Sequence, residues 1–511
     1  MRGRYLYAYL HGFLSGPSSS KGRTLQRVFQ TAHGLDLQLL DLNGPNGDPS
    51  DLTHEGALAA VDACWQAAAA RNSRLRLIGS SFGGWVAAAY AERYPERVDR
   101  LLLLSPALAW QEDQWERIVG GTPELDAWRE SGTRSFAMPS DGRAVTVPWR
   151  FARDTLSQSR LRSIRCPTCI VHGQYDREVP PAVSRAFFLA HAARTRLVLP
   201  GDDHAVAAPD TLTRIASLAA ATFELPHSAS FTHSVSGAAE GVWEAERKVR
   251  LRDAAEARLV EDALAGAGAT FREEEGFVDE YWDLPDAALA KRGAWLRRRA
   301  GLWELKLANG DHDGADDAQG GVDGDGDETD SLSDVHMELE GAAAVTRWLV
   351  RESWLPAAPA GGDEHAHVDG NALNSLLRAS GLAPYAAFGT TRRRYRWEGL
   401  SIDIDVAWHI GQASADAEDD NAIPMDEDEP PAFHRVLEVE ALGDSRADAT
   451  SQLHVKLGRL MAQIGRASEA DVSSPEGKLE FFVTSFREGS EHDRLFRAYR
   501  RAPGKAGGVE N

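Results

Sequence analysis

Charged residues recur at alternate positions in one short segment after another through the C-terminal half of this chain. Glu244, Glu246 and Lys248 alternate, and so do Arg297 with Arg299, Glu304 with Lys306, Arg392 with Arg394, Asp403 with Asp405, and Glu438 with Glu440. On a strand, successive side chains point to opposite faces, so residues two apart share one face. A single segment of this kind usually means a solvated strand face. A whole set of strands, several of them apolar on the other face, instead predicts a barrel whose lumen is charged and whose outer wall is apolar.

Such a lumen has a specific chemical use. Paired carboxylates repel one another unless a hard cation holds them, and Mg²⁺ bound by a few carboxylates and substrate phosphate oxygens relieves that repulsion. Arginines and lysines facing them would hold a polyphosphate by bidentate and point-charge contacts. Trp295 alternates with Arg297 and Arg299, and its indole face offers a stacking surface for a cationic group.

These segments resemble the CYTH, or triphosphate tunnel, superfamily, whose hallmark is the Glu-x-Glu-x-Lys strand. Asp279-Glu280-Tyr281-Trp282-Asp283-Leu284-Pro285, the run 295–299, Trp303-Glu304-Leu305-Lys306, Asp403-Ile404-Asp405, Glu438-Val439-Glu440 and Gly477-Lys478-Leu479-Glu480 are more particularly similar to animal-type thiamine triphosphatases. The resemblance spans about residues 242–500. It implies a closed antiparallel β-tunnel (α+β) that hydrolyses thiamine triphosphate to thiamine diphosphate and phosphate with Mg²⁺ as cofactor. Glu244, Glu246, Asp403, Glu438 and Glu440 would surround the metal. Lys248, Arg297, Arg299, Lys306, Arg392, Arg394 and Lys478 would hold the triphosphate, with Glu244, Glu246 and Trp295 also in the substrate site and Lys306 as the catalytic lysine. An inorganic triphosphatase, an adenylate cyclase and a non-catalytic polyphosphate- or nucleotide-binding module are the alternatives on the same fold. Ala245 departs from the valine usual in the first strand of the family.

The first 225 residues have another texture. Strand-like apolar runs at 6–10, 36–40, 75–78, 101–104, 169–172 and 196–199 alternate with helical patterns such as 57–70, 84–93 and 212–222. This order predicts a parallel sheet with helices on both faces. Residues 107–160, rich in Trp, Arg and turn formers, read as an insertion over the sheet edge.

Gly79-Ser80-Ser81-Phe82-Gly83 joins the strand at 75–78 to the helix at 84–93. In that setting G-x-S-x-G forms a nucleophile elbow, in which the glycines relieve crowding and Ser81 is exposed on a strained turn. Asp176 follows the strand at 169–172 and His204 the strand at 196–199, giving the order Ser, Asp, His used by α/β-hydrolases. His204 would take the Ser81 proton, and Asp176 would orient the imidazole. The N–H groups near Gly12 and Phe13, with that of Phe82, are candidates for an oxyanion hole. The stretch 9–21, with Gly-Ser-Ser-Phe-Gly-Gly and Gly-Asp-Asp-His, resembles small bacterial esterases of the α/β-hydrolase superfamily, which implies an ester substrate whose acyl group the sequence leaves open.

The predicted organisation is an α/β-hydrolase domain at 1–225, a linker at 226–240 and a tunnel domain at 241–505 with acidic insertions at 311–334 and 414–430. The net charge of −21 belongs to those insertions: 311–334 holds ten carboxylates and 416–429 holds eight, without Lys or Arg, so the rest of the chain is near balance at about −3. Asp323-Gly324-Asp325-Gly326-Asp327-Glu328 lacks the turn glycine of an EF-hand and reads as a disordered loop. Near-balanced folded parts argue against nucleic acid as a partner. No apolar run approaches the ~18 residues of a membrane span, and no signal core opens the chain, so a soluble, cytoplasmic enzyme acting on small molecules is expected. Cys166-Pro167-Thr168-Cys169 has redox or half-zinc-site spacing, but without a second pair it reads as small residues opening a buried strand.

Overall fold

The computed structural model describes residues 5–44, 46–69, 73–139, 141–157, 163–225, 242–308, 334–356, 368, 370–410, 432–443, 446–463 and 478–479. The expected linker at 226–240, the acidic segments 311–333 and 414–430, and the EF-hand-like run lie outside them. The described residues form two compact units.

The N-terminal unit is a six-stranded parallel sheet. Its strands are β1 (Tyr5–Leu10), β2 (Leu37–Leu40), β3 (Arg74–Ser80), β4 (Val98–Leu104), β7 (Thr168–Val171) and β8 (Thr195–Pro200), in the order β2-β1-β3-β4-β7-β8. Both faces are covered, as parallel sheets require. Helices α1 (Ser20–His33) and α8 (Pro209–Thr222) bury Leu25, Phe29, Ile215 and Leu218 against Tyr7, Tyr9, Ile78, Leu102 and Cys169. Helices α2 (His54–Ala69), α3 (Phe82–Arg93) and α7 (Pro181–Ala190) complete the layers. All three cysteines are buried and unpaired, and burial pushes the Cys166 thiol up to about 12 and that of Cys169 up to about 11, as expected of strand-packing residues.

The insertion at 107–160 is itself folded. It contains α4 (Glu112–Val119), α5 (Thr122–Ser131), a hairpin of β5 (Thr133–Ala137) with β6 (Ala144–Pro148), and α6 (Trp149–Leu156).

The C-terminal unit is a closed antiparallel barrel of eight strands. These are β9 (Val242–Arg250), β10 (Thr270–Asp283), β11 (Ala294–Arg299), β12 (Leu302–Ala308), β13 (Asp334–Glu340), β14 (Ala383–Trp397), β15 (Leu400–Trp408) and β16 (Ala432–Gly443). The order β10-β11-β12-β13-β9-β16-β15-β14 returns to β10, which closes the sheet.

The alternation seen in the sequence sorts the two faces. Ala245, Val249, Ile402, Ile404, Leu437 and Val439 point outward and are covered by α9 (Ala254–Gly266) and α12 (Arg446–Gln463). Leu296, Trp303, Leu305 and Leu307 are covered by α10 (Ala342–Arg351) and α11 (Gly370–Ala379). Each fully buried side chain of this size contributes about 1.5–3 kcal/mol, so the stabilising core lies outside the barrel wall and leaves the lumen to polar groups. Ala245 in place of a larger residue is completely buried in this layer.

Three features differ from the sequence expectations. Asp334, assigned to the acidic insertion, opens β13, and α9 was not expected at all. Helix α12 begins at Arg446, more than a turn before the expected 451. Among the described residues, no helix is long and apolar enough to cross a membrane.

Candidate functional site

Each unit carries one constellation of reactive groups. In the N-terminal unit, Ser81 stands between β3 and α3 with φ 52° and ψ −117°, a strained conformation for a residue with a side chain. The flanking glycines make the turn possible: a Cβ on Gly79 would lie 2.4 Å from the Gly83 carbonyl oxygen, and one on Gly83 would lie 2.3 Å from that of Leu10. The Ser81 N–H donates to the Leu104 carbonyl at 2.9 Å, which ties the turn to β4.

The structure brings Ser81, His204 and Asp176 together. Ser81 Oγ lies 3.1 Å from His204 Nε2, and His204 Nδ1 lies 2.6 Å from Asp176 Oδ2. With Nδ1–H donating to the carboxylate, Nε2 is left to accept the serine proton. The other Asp176 oxygen accepts from the N–H groups of Glu178 and Val179, each at 2.8 Å. Burial alone would raise the Asp176 carboxyl, but hydrogen bonds from His172 and His204 hold it well below the usual carboxylate range.

Gly12 closes over Ser81, for a Cβ there would stand 3.2 Å from Ser81 Cβ. The preceding residue, His11, is buried with Nδ1 donating to the Gly12 carbonyl at 2.8 Å and Nε2 accepting from the Leu42 N–H at 3.0 Å. Because a trans peptide sets its N–H opposite its carbonyl, that bond fixes the direction of the Phe13 N–H. The Phe82 N–H belongs to the first residue of α3, where the helix itself supplies no acceptor. Lys21, which the sequence reading did not single out, donates to Ser80 Oγ at 3.2 Å beneath the elbow.

In the C-terminal unit, the charged residues line one lumen. Ligand oxygens of Glu244, Glu246 and Glu440 lie within 4.8 Å of one another. Register explains the grouping, since Glu246 and Glu440 are direct partners across β9 and β16. Lys306 Nζ stands 3.1 Å from Glu246 and 3.5 Å from Glu244, and Lys248 is hydrogen-bonded to Glu246.

The cations here do not neutralise the cluster evenly. Glu246 is held well below the usual range because Lys248, Lys306 and His336 outweigh its burial. Burial, with Glu244, Asp403 and Glu438 nearby, pushes Glu440 well up despite Arg392, and burial also raises Glu244 despite Lys306. Three converging carboxylates, two of them raised by burial and by their acidic neighbours, are a donor set of hard oxygens, which suits Mg²⁺.

The other candidates occupy a cation-rich part of the lumen. Arg392 reaches Asp403 at 2.7 Å, both oxygens of Asp405 at 2.8 and 2.7 Å, and Glu438 at 2.8 Å. Arg394 forms a bidentate pair with Asp403 at 2.9 and 2.8 Å. Lys478 bonds Asp405 and lies 3.4 Å from Glu438. Asp403 and Glu438, also expected around the metal, are direct partners across β15 and β16 and lie close enough to raise Glu440, while Arg392, Arg394 and Lys478 bind them.

Arg297 pairs with Glu304 at 2.7 Å and Glu338 at 3.1 Å, and Arg299 grips Asp279 through two bonds of 2.7 and 2.8 Å. Trp295 is the direct cross-strand partner of Lys306, so both project to the same face. His336, on β13, lies 3.4 Å from Glu246 and meets the Trp295 ring edge-on. Sequence reading missed His336 and Glu338; the alternation in Val335-His336-Met337-Glu338-Leu339 was the signal that would have found them.

Two family models match the chain. The CYTH domain covers residues 243–450, and an uncharacterised protein family, UPF0227, covers residues 6–206. Abhydrolase domain-containing protein abhd-5.2 of Caenorhabditis elegans is 31% identical over 112 residues, 21% of this chain and 24% of that protein, so the chain spans about a quarter of its length. Among solved structures, Est1E from Butyrivibrio proteoclasticus with bound ferulic acid is 20% identical at a TM-score of 0.34, covering 42% of this chain and 87% of that one. Mouse alpha/beta hydrolase domain-containing protein 10 is 18% identical at 0.34, covering 43% and 89%. A conserved hypothetical protein from Pyrococcus furiosus is 14% identical at 0.25, covering 47% and 99%.

Proposed function

We propose that this chain, an α/β-hydrolase domain followed by a CYTH domain, is a Mg²⁺-dependent thiamine triphosphatase joined to a serine esterase. The observation that supports the phosphatase reading most is the convergence of Glu244, Glu246 and Glu440 within 4.8 Å beside the Lys306 ammonium.

These three glutamates would hold Mg²⁺, which when bound supplies positive charge to phosphate oxygens and to a water ligand. Lys306, within reach of two of the glutamates, would place its ammonium on the phosphoryl group beside the metal. Arg297, Arg299, Arg392, Arg394, Lys248 and Lys478 would exchange their present carboxylate partners for phosphate oxygens, and the bidentate geometry of the arginines suits both. Trp295, directly across from Lys306, would stack on the organic end, and a cationic thiazolium gains most from an indole face. Water adds to the terminal phosphorus and the bridging P–O bond breaks, giving thiamine diphosphate and phosphate.

In the hydrolase unit, Ser81 would attack an ester carbonyl while His204 takes its proton and later returns it to the leaving alcohol. The N–H groups of Phe82 and of the 12–13 region would stabilise the oxyanion. Three buried thiols that remain unpaired fit a reducing, cytoplasmic setting.

Purified protein offered thiamine triphosphate, inorganic triphosphate and ATP with Mg²⁺ tests the phosphatase assignment. Phosphate released from the first substrate in preference to the others is expected. Preference for inorganic triphosphate, cyclic AMP from ATP, or binding without turnover would each replace this reading with another.

A further inference from the structure

The rings of Phe13 and Phe82, two of the three residues proposed for the oxyanion hole, rest on one residue of the 107–160 insertion. Phe151, on α6, is buried. It stacks with Phe13 at 5.2 Å between ring centroids and 12° between planes, and it meets Phe82 edge-to-face at 5.3 Å. His54 stacks with the same ring at 5.2 Å and 24°. Thr155, one turn further along α6, donates to the Phe151 carbonyl at 2.7 Å and lies 3.3 Å from His54 Nε2, so the helix is also tied to α2.

Phe13 lies in the loop after β1 and Phe82 opens α3 after β3, and their backbones carry the two halves of the proposed hole. An oxyanion hole works only when its donors already stand about 2.7–3.1 Å from where the oxygen charge develops, and loss of one donor costs about 10²–10³ in kcat. Fixing both side chains against one rigid ring fixes the spacing between the two N–H groups.

We propose that Phe151 is a positioning residue for the oxyanion hole, through which the insertion sets the rate of ester hydrolysis. The inference rests on the esterase reading of Ser81. It makes the insertion part of the machinery, acting on the transition state through Phe13 and Phe82 without touching the substrate.

The test compares Phe151→Leu, Phe151→Tyr and Leu125→Ala in the full chain, with p-nitrophenyl acetate hydrolysis and thermal unfolding as readouts. Leu125 is fully buried in α5 of the same insertion and supplies no ring to Phe13 or Phe82, so it reports simple loss of packing. Phe151→Leu should lower kcat by about tenfold or more while KM changes by less than about threefold. Phe151→Tyr keeps the flat face and should restore kcat to within about threefold of wild type. Leu125→Ala should lower the melting temperature and leave kcat nearly unchanged. If Phe151→Leu does not fold, Phe151→Met takes its place. The proposal is overturned if kcat survives loss of the ring, or if Leu125→Ala lowers it equally. A wild type inert towards esters and towards a fluorophosphonate at Ser81 would instead remove the esterase reading, and this inference with it.

Discussion

His172 stands 3.1 Å from Asp176, its Nε2 meeting the same carboxylate oxygen that His204 meets at 2.6 Å. Its ring is locked, because Nε2 also lies 2.9 Å from the Val179 carbonyl oxygen and Nδ1 lies 2.7 Å from Ser184 Oγ. Asp176 is held below its ordinary range, so its folded pKa is lower than its unfolded one. The stability this gives is present above about pH 4 and is lost as pH falls below that. His172→Leu should therefore destabilise the N-terminal unit by about 1–3 kcal/mol at pH 6, with the gap to wild type narrowing towards pH 3. Urea unfolding at the two pH values checks this, and a constant gap would show that His172 does not act through the carboxylate.

Ser81→Ala should abolish hydrolysis of short p-nitrophenyl esters by several orders of magnitude and leave phosphate release from thiamine triphosphate unchanged. The two activities are assigned to separate units, and parallel loss of both would contradict that assignment.

Lys21 carries a pH signature of its own. Burial lowers its ammonium to about 8, against the pull of Asp202, Asp203 and Asp176. Between about pH 8 and 10.4 the unfolded chain binds a proton that the folded chain lacks, so stability rises with pH in that window. Lys21→Met removes the effect. Relative to this variant, wild type should gain on the order of 1–3 kcal/mol between pH 7.5 and pH 10, measured by urea unfolding.

Period-two patterning was enough to find the tunnel, because it reports which face a residue occupies. It does not report the neighbour across the sheet, which is a matter of register between distant segments. The pattern placed Asp403, Glu438 and Glu440 on lumen faces, and pairing adds the neighbours: Glu440 lies across from Glu246, Asp403 lies across from Glu438, and Arg392, Arg394 and Lys478 bind the latter pair. Strand β13 was hidden for another reason. Its first residue, Asp334, continues an acidic run, and this masked the alternation that brings His336 and Glu338 into the lumen. The Ser81 turn was legible because a serine held at a strained strand-to-helix turn needs glycines at fixed offsets, and His172 was not, because no local spacing marks a second imidazole on Asp176.

Arg392 neutralises three carboxylates, Asp403, Asp405 and Glu438, inside the barrel. Among the described residues, Arg392→Met leaves only Arg394 on Asp403 and only Lys478 on Asp405 and Glu438, and removing one partner of a buried network typically costs about 3–5 kcal/mol. The C-terminal unit of this variant should unfold at a lower temperature, and added inorganic triphosphate should restore less of that loss than it adds to wild type. A melt equal to that of wild type would show that Arg392 is not the residue holding these groups.

Glu440 gives the most direct test of the tunnel as a metal-dependent phosphatase. Its carboxyl is raised by burial and by Glu244, Asp403 and Glu438, so its charged form opposes folding as pH rises above the ordinary carboxylate range. Glu440→Gln should therefore melt at a temperature equal to or higher than wild type in the absence of metal at pH 7. The decisive measurement is phosphate release from thiamine triphosphate as a function of Mg²⁺ concentration for wild type, Glu440→Gln and Glu244→Gln. The account predicts curves displaced to higher Mg²⁺ by about tenfold or more in both variants, with part of the lost rate recovered at saturation. Curves that superimpose on wild type would contradict it.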